Sequence, residues 1–184
     1  KYDGTAIMWA AKFNEKDLDL MKSILNHKTC SIDVVNKKDK RGKTALDLAK
    51  QYNDGPLQEH IIQLLKFYSV KETAELCKKY YNEYPKGDTI AVACETGRLN
   101  DVKTFIQSGT IENISTYEGW DSTGHYDILL SIATGFGQYE IVEYLLSLPG
   151  MDVGVGDSGY GISAIMVATS SDKNNLDLIK LLLN

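Results

Sequence analysis

A chain of 184 residues, 43% hydrophobic and 24% charged with only three prolines, has the make-up of a folded globular chain and not of a disordered tail or a fibre. Apolar runs such as Leu181-Leu182-Leu183 fall far short of the roughly 18 residues that a bilayer span needs, so no membrane span is expected. A net charge of −5, from 20 Lys and Arg against 25 Asp and Glu, argues against nucleic-acid binding through the whole surface.

Taken in chain order, the strongest signal is a repeat. A small residue, an apolar one, two variable positions and an Ala recur as Thr5-Ala6-Ile7-Met8-Trp9-Ala10, Thr44-Ala45-Leu46-Asp47-Leu48-Ala49, Asp88-Thr89-Ile90-Ala91-Val92-Ala93, Ile128-Leu129-Leu130-Ser131-Ile132-Ala133 and Ser163-Ala164-Ile165-Met166-Val167-Ala168. A second apolar pattern follows each copy: 18–25, 60–65, 100–106, 139–146 and 176–182. Its apolar residues return every three or four positions, which predicts an amphipathic helix with one stripe to bury. One helix pair cannot bury that stripe alone, whereas stacked neighbours can.

These copies, above all Thr44-Ala45-Leu46, Gly97-Arg98-Leu99-Asn100-Asp101-Val102 and Gly137-Gln138-Tyr139-Glu140-Ile141-Val142-Glu143-Tyr144-Leu145-Leu146, resemble the ankyrin repeat, a β-turn followed by two antiparallel helices. The resemblance implies an all-α fold, an α-solenoid of stacked helix-turn-helix units joined by β-turn or hairpin loops. It covers nearly the whole chain, with repeats near 3–40, 41–69, 86–122, 124–158 and 159–184 in a single domain 1–184. The family's Thr-Pro at the helix start is absent, and the repeated Ala residues at 10, 49, 93, 133 and 168 are more widely spaced than the roughly 33 residues of a regular repeat. The extra length has two places. Val70, Ala74, Cys77, Tyr81 and Tyr84 predict an inserted helix over about 70–84, ended near Pro85 and Gly87, and Ile111 to Tyr126 predicts an extended finger carrying Trp120.

No catalytic residue, metal or cofactor is expected. Gly154-Val155-Gly156-Asp157-Ser158-Gly159 matches a dinucleotide fingerprint, but that motif needs a strand before it, a helix after it and a parallel sheet. Here it falls between two repeats and reads as a turn. His27, His60 and His125 lie in different repeats, and only His27 has a thiol nearby in sequence, Cys30. Asp17/Asp19 and Glu140/Glu143 read as solvated helix faces. Cys30, Cys77 and Cys94, three without pair or ligand spacing, read as buried reduced thiols and point to an intracellular compartment. Asn113-Ile114-Ser115 fits a glycosylation acceptor and is discounted on the same ground.

A partner protein is the expected ligand. The ankyrin resemblance implies binding on the concave side, by the hairpin tips and first helices, and the candidate contacts there are Trp9, Phe13, Arg41, Trp120, Asp121, Tyr126, Asp157 and Tyr160. For the aromatic ones two readings stay open: contact with a partner, since Trp and Tyr concentrate interface energy, or a structural place, with Trp9 packed beneath an adjacent repeat and Trp120 folded back over its own finger. Residues 1–92 hold 16 basic and 13 acidic side chains, residues 93–184 hold 4 and 12, and the acidic half favours a partner with a basic segment. Lys37-Lys38-Asp39-Lys40-Arg41-Gly42-Lys43 reads as a solvated turn, with an acidic or phosphate contact as its rival. Because the chain opens at Lys1 and closes on a helical pattern at Asn184, it also reads as part of a longer protein. The alternative function is therefore a targeting or regulatory arm of a larger enzyme or channel.

Overall fold

The computed structural model describes residues 4–13, 18–52, 56–84, 87–170 and 175–184. The side chain of Phe13 lies outside the described residues, as do Asp17 and Pro85. Among the described residues the chain is mostly helical, with twelve helices and a single two-stranded hairpin. The sequence reading treats 1–184 as one repeat domain, and packing divides it into two compact units, Lys1–Lys78 and Lys79–Asn184.

The first unit contains α1 (Ala6–Phe13), α2 (Leu18–Asn26), α3 (Ile32–Val35), α4 (Ala45–Gln51), α5 (Pro56–Ser69) and the start of α6 (Lys71–Glu83). Helix α1 packs on α2 and α4, α4 on α5, and α2 and α3 on α5. The start of α4 is set by a capping box: the Thr44 hydroxyl accepts from the Asp47 N–H, and the Asp47 carboxylate accepts from the Thr44 N–H at 2.9 Å. Both donors would otherwise be left without a helical partner. Ala10 and Ala49 are buried, and so small a side chain at a helix contact lets two axes come close. The Gln58 amide then donates to the Ala11 carbonyl at 3.0 Å and to the Ala49 carbonyl at 3.2 Å, closing the last turns of α1 and α4 with one side chain.

Helix α6 lies in the segment where an inserted helix is predicted. Its buried stripe is Thr73, Ala74, Cys77 and Tyr80; Tyr81 and Tyr84 of the predicted stripe are only partly covered. Both 80 and 81 are compatible with a 3.6-residue period. Tyr80 takes the inward place with its hydroxyl satisfied, 2.8 Å from the Asp101 carboxylate, while the Arg98 guanidinium lies 5.0 Å from its ring centre. Burial and the Asp101 carboxylate push its phenol well above the usual tyrosine range.

The second unit continues with α7 (Thr89–Glu95), α8 (Leu99–Gln107), β1 (Glu118–Trp120), β2 (Tyr126–Ile128), α9 (Leu129–Gly135), α10 (Tyr139–Leu146), α11 (Ala164–Ser170) and α12 (Leu176–Leu183). The first helix of each pair packs on the next, α7 on α9 and α9 on α11, and the second helices do the same, α8 on α10 and α10 on α12. Sequence explains the two roles. Ile90 to Cys94 and Leu129 to Thr134 are all buried, as helices apolar on every side must be. Helices α8, α10 and α12 bury one stripe each: Val102 and Phe105, then Ile141, Val142 and Leu145, then Leu178 and Leu182.

The turn between paired helices is built the same way twice. After α7, the Arg98 N–H donates to the Ala93 carbonyl at 3.0 Å and Gly97 holds φ 73°; after α9, the Gln138 N–H donates to Ala133 at 2.9 Å and Gly137 holds φ 72°. Those φ values favour glycine. Gln138 repeats the task of Gln58, its amide donating to the Glu95 carbonyl at the end of α7 at 2.7 Å.

Strands β1 and β2 form the finger, paired antiparallel with Glu118 opposite Ile128 and Trp120 opposite Tyr126. The finger rests on α7: a Cβ at Gly119 would stand 3.0 Å from the Ala91 Cβ. The glycine run 154–159 lies in the connection from α10 to α11, where Gly156 bridges antiparallel to Ser163. It is a turn with no parallel sheet beside it among the described residues.

Candidate functional site

Three hairpin tips share one construction. In each, an Asp carboxylate turns inward and accepts from backbone N–H groups just ahead of it, its own carbonyl accepts from a glycine N–H, and that glycine has positive φ. Asp39 takes the N–H groups of Arg41 and Lys43 at 2.8 and 2.9 Å, with Gly42 at φ 77°. Asp121 takes those of Thr123 and His125 at 2.9 and 2.8 Å, with Gly124 at φ 88°. Asp157 takes those of Gly159, Tyr160 and Ile162 at 2.8, 2.6 and 2.8 Å, with Gly161 at φ 68°. Short polar side chains that bond their own backbone ahead are what close such turns.

This construction sorts the sequence candidates. Asp121 is buried at 4% exposure, and its carboxylate also accepts from the Thr123 hydroxyl; its place in the structure is inside the finger. Asp157 likewise holds its own turn together, and the Tyr160, Ile162 and Gly159 N–H groups keep its carboxyl below the usual range. Arg41 is exposed on the first tip, and Tyr160 on the third stands 91% exposed. Trp9 on α1 is 48% exposed. Trp120, 36% exposed, and the partly covered Tyr126 form a tilted ring pair with centroids 4.8 Å apart, so the finger tip carries an aromatic face. The structure thus places Trp120, Tyr126, Asp121, Asp157 and Tyr160 on the tips of the second unit, and Trp9 and Arg41 in the first.

Two carboxylates that the sequence reading did not single out complete the second-unit tips. Glu118 on β1 accepts from the Ser158 hydroxyl at 2.8 Å and from the Ser158 N–H, tying the 157–162 turn to the finger. Asp127 on β2 accepts from the Ile128 N–H at 2.7 Å. Burial, with Asp157 and Glu118 nearby, pushes the Asp127 carboxyl up to about 6. The Ser131 hydroxyl lies beside it without reaching hydrogen-bond geometry. Tyr126 is pushed up to about 12 by burial and by the charges of Glu118 and Asp88. The only sequence signal for Glu118 and Asp127 is their position on the finger, because Ser158, which bonds Glu118, lies 40 residues further along and Asp157, near Asp127, comes from the same tip.

The raised Asp127 carboxyl has a measurable consequence. Its native pKa exceeds the unperturbed 3.8, so between about pH 4 and 6 the folded protein binds more protons than the unfolded chain, and stability falls as pH rises through that window. Asp127→Asn removes the dependence. We expect the variant to match the wild type near pH 4 and to exceed it at pH 7 by on the order of 1–2 kcal/mol, below the full linkage value because solvent screens a half-buried group. Urea titrations at both pH values measure this, and a wild-type advantage at pH 7 would refute it.

Cys30, Cys77 and Cys94 are buried and none is in a disulfide, and burial raises Cys30 and Cys94. The His27 ring bonds with the Thr29 hydroxyl at 2.8 Å. Among the described residues no group of three or more His, Cys, Asp or Glu is arranged to hold a metal, and no helix is long and apolar enough to cross a membrane. On the basic turn, Lys37, Lys38, Lys40 and Arg41 are exposed and Lys43 bonds Gln51. In comparisons with known proteins, the chain matches no family model and no curated protein.

Proposed function

We propose that this chain is a non-catalytic protein-interaction module, an ankyrin-like stack of helix hairpins that holds another protein against its tips and first helices. The observation that carries the reading is the tip frame. One Asp-and-Gly construction recurs ahead of α4, α9 and α11, and side chains of unlike chemistry stand on it: Arg41, Trp120 and Tyr160. Repeated short first helices with a buried Ala at one register, and identical turns at Gly97 and Gly137, support the ankyrin-like part of the reading. A frame kept constant under a changing set of exposed residues suits recognition of a partner protein.

The test compares wild type with a Trp9→Ala, Trp120→Ala, Tyr160→Ala triple variant in affinity capture from cell extract, after circular dichroism shows equal folding. Proteins retained by wild type alone support the reading. Identical retained sets overturn it.

A further inference from the structure

We propose that the tips of the second unit dock a Lys- and Arg-rich segment of a partner protein, with Trp120, Tyr126 and Tyr160 receiving its side chains and Glu118 its charge. The inference rests on the interaction-module reading and names the chemistry of the partner.

Charge is distributed with a sharp asymmetry. From Thr104 to Asp172 the chain contains no Lys or Arg and nine Asp and Glu. The described cations of this unit are all engaged elsewhere: Arg98 with Glu83 at 3.2 Å, Lys180 with Asp177 at 3.5 Å, Lys79 over the Tyr80 ring at 5.7 Å and Lys103 over the Tyr144 ring at 5.2 Å. Those groups sit on α6, α8 and α12 or at the start of α8, whereas β1, β2 and the 157–162 turn carry carboxylates only. Among the described residues no Lys or Arg is paired with Glu118, Asp127 or Asp157.

The aromatic groups supply the second half of the argument. Exposed tyrosine and tryptophan beside uncompensated carboxylates are the combination that holds a cation, through the ring face and through charge-assisted hydrogen bonds together. Trp120 and Tyr126 are cross-strand partners, and Ser158, bonded twice to Glu118, brings Tyr160 to within two residues of that contact. Burial is the main cause of the raised proton affinities of Asp127 and Tyr126, and the carboxylates of Asp157 and Glu118 around Asp127, and of Glu118 and Asp88 around Tyr126, add to it. An acidic or phosphorylated partner would meet repulsion here.

The experiment uses the full chain and three fluorescein-labelled 16-residue peptides: one alternating Lys and Arg with Gly and Ser, one with Glu in the basic places, and one with Gln. Fluorescence anisotropy at 50, 150 and 500 mM NaCl is expected to show binding of the basic peptide alone, weakening steeply with salt. Trp120→Ala with Tyr160→Ala, and separately Glu118→Gln, should each weaken it five- to tenfold or more. The charge-matched control Glu140→Gln with Glu143→Gln, two exposed carboxylates on α10, should change it less than twofold. Equal weakening by the control, or indifference to the aromatic pair, means general attraction to an acidic surface and overturns the proposal. No binding of the basic peptide overturns it too. If the capture experiment meanwhile returns partners that the triple Ala variant loses, the interaction-module reading stands and only the assignment of a basic partner falls.

Discussion

Phe105→Ala is expected to remove about 3–5 kcal/mol from the stability of the second unit. Phe105 is at 0% exposure and is among the largest side chains buried completely. It lies on the inward stripe of α8, a helix that packs against both α7 and α10. Truncation there loses the transfer free energy of the ring and leaves a cavity, because close-packed neighbours relax only in part. Whole domains are stable by roughly 5–15 kcal/mol, so the variant loses a large share of its margin. A unit of this size should melt some 15–30 °C lower, at several degrees per kcal/mol. Leu183→Ala, at a position 72% exposed, is the control and should stay within about 0.5 kcal/mol. Thermal and urea unfolding followed by circular dichroism distinguish the two; a loss below 1 kcal/mol at Phe105 would contradict the packing described.

Gly156→Ala acts on a smaller region and by another route. A Cβ at this position would stand 2.3 Å from both the carbonyl carbon and the oxygen of Gly161, and 2.8 Å from its Cα. Only backbone is in the way, and no flexible side chain can swing aside. Either the antiparallel bridge to Ser163 opens or the 157–162 turn is rebuilt. We expect a loss of about 1–3 kcal/mol, the usual range for overpacking relieved by a backbone shift. Its signature is local: the Gly159, Tyr160 and Ile162 amides, now held by Asp157, should exchange at least tenfold faster while amides of α8 and α10 keep their protection. Full retention of protection in the turn would show that the close approach has slack.

The helices were the most legible part of this chain, for a physical reason. Alanine at 10, 49, 93, 133 and 168 marks places where helices touch, and each of these residues is buried. The finger was legible as a long connection rich in turn formers, and it folds as the β1–β2 hairpin. What sequence left ambiguous was the direction of individual side chains. Asp121 and Asp157 have the chemistry of surface acids, yet in their turns the nearest donors are the backbone N–H groups ahead of them, so both fold inward. Tyr80 and Tyr81 fit one helical stripe equally well, and a hydrogen bond to Asp101, 21 residues on, selects the first. Glu118 and Asp127 became notable only once the next hairpin brought Ser158 and Asp157 beside them. Gln58 and Gln138 carried no readable signal, since their carbonyl partners lie on other helices.

Those two glutamines give the assembly a direction. The carbonyl end of α7 receives its donor from Gln138, 43 residues further along, and the end of α1 receives its donor from Gln58, 47 residues further along. The ends of α1 and α7 are thus finished by the hairpin that comes after each, while α4 is closed by Gln58 from its own hairpin. On a translating ribosome, where chains fold as they emerge from the N-terminal end, the last turns of α1 and α7 wait for the following hairpin before they are closed. At these two steps the nascent edge presents an incompletely closed helix end to which the next segment adds.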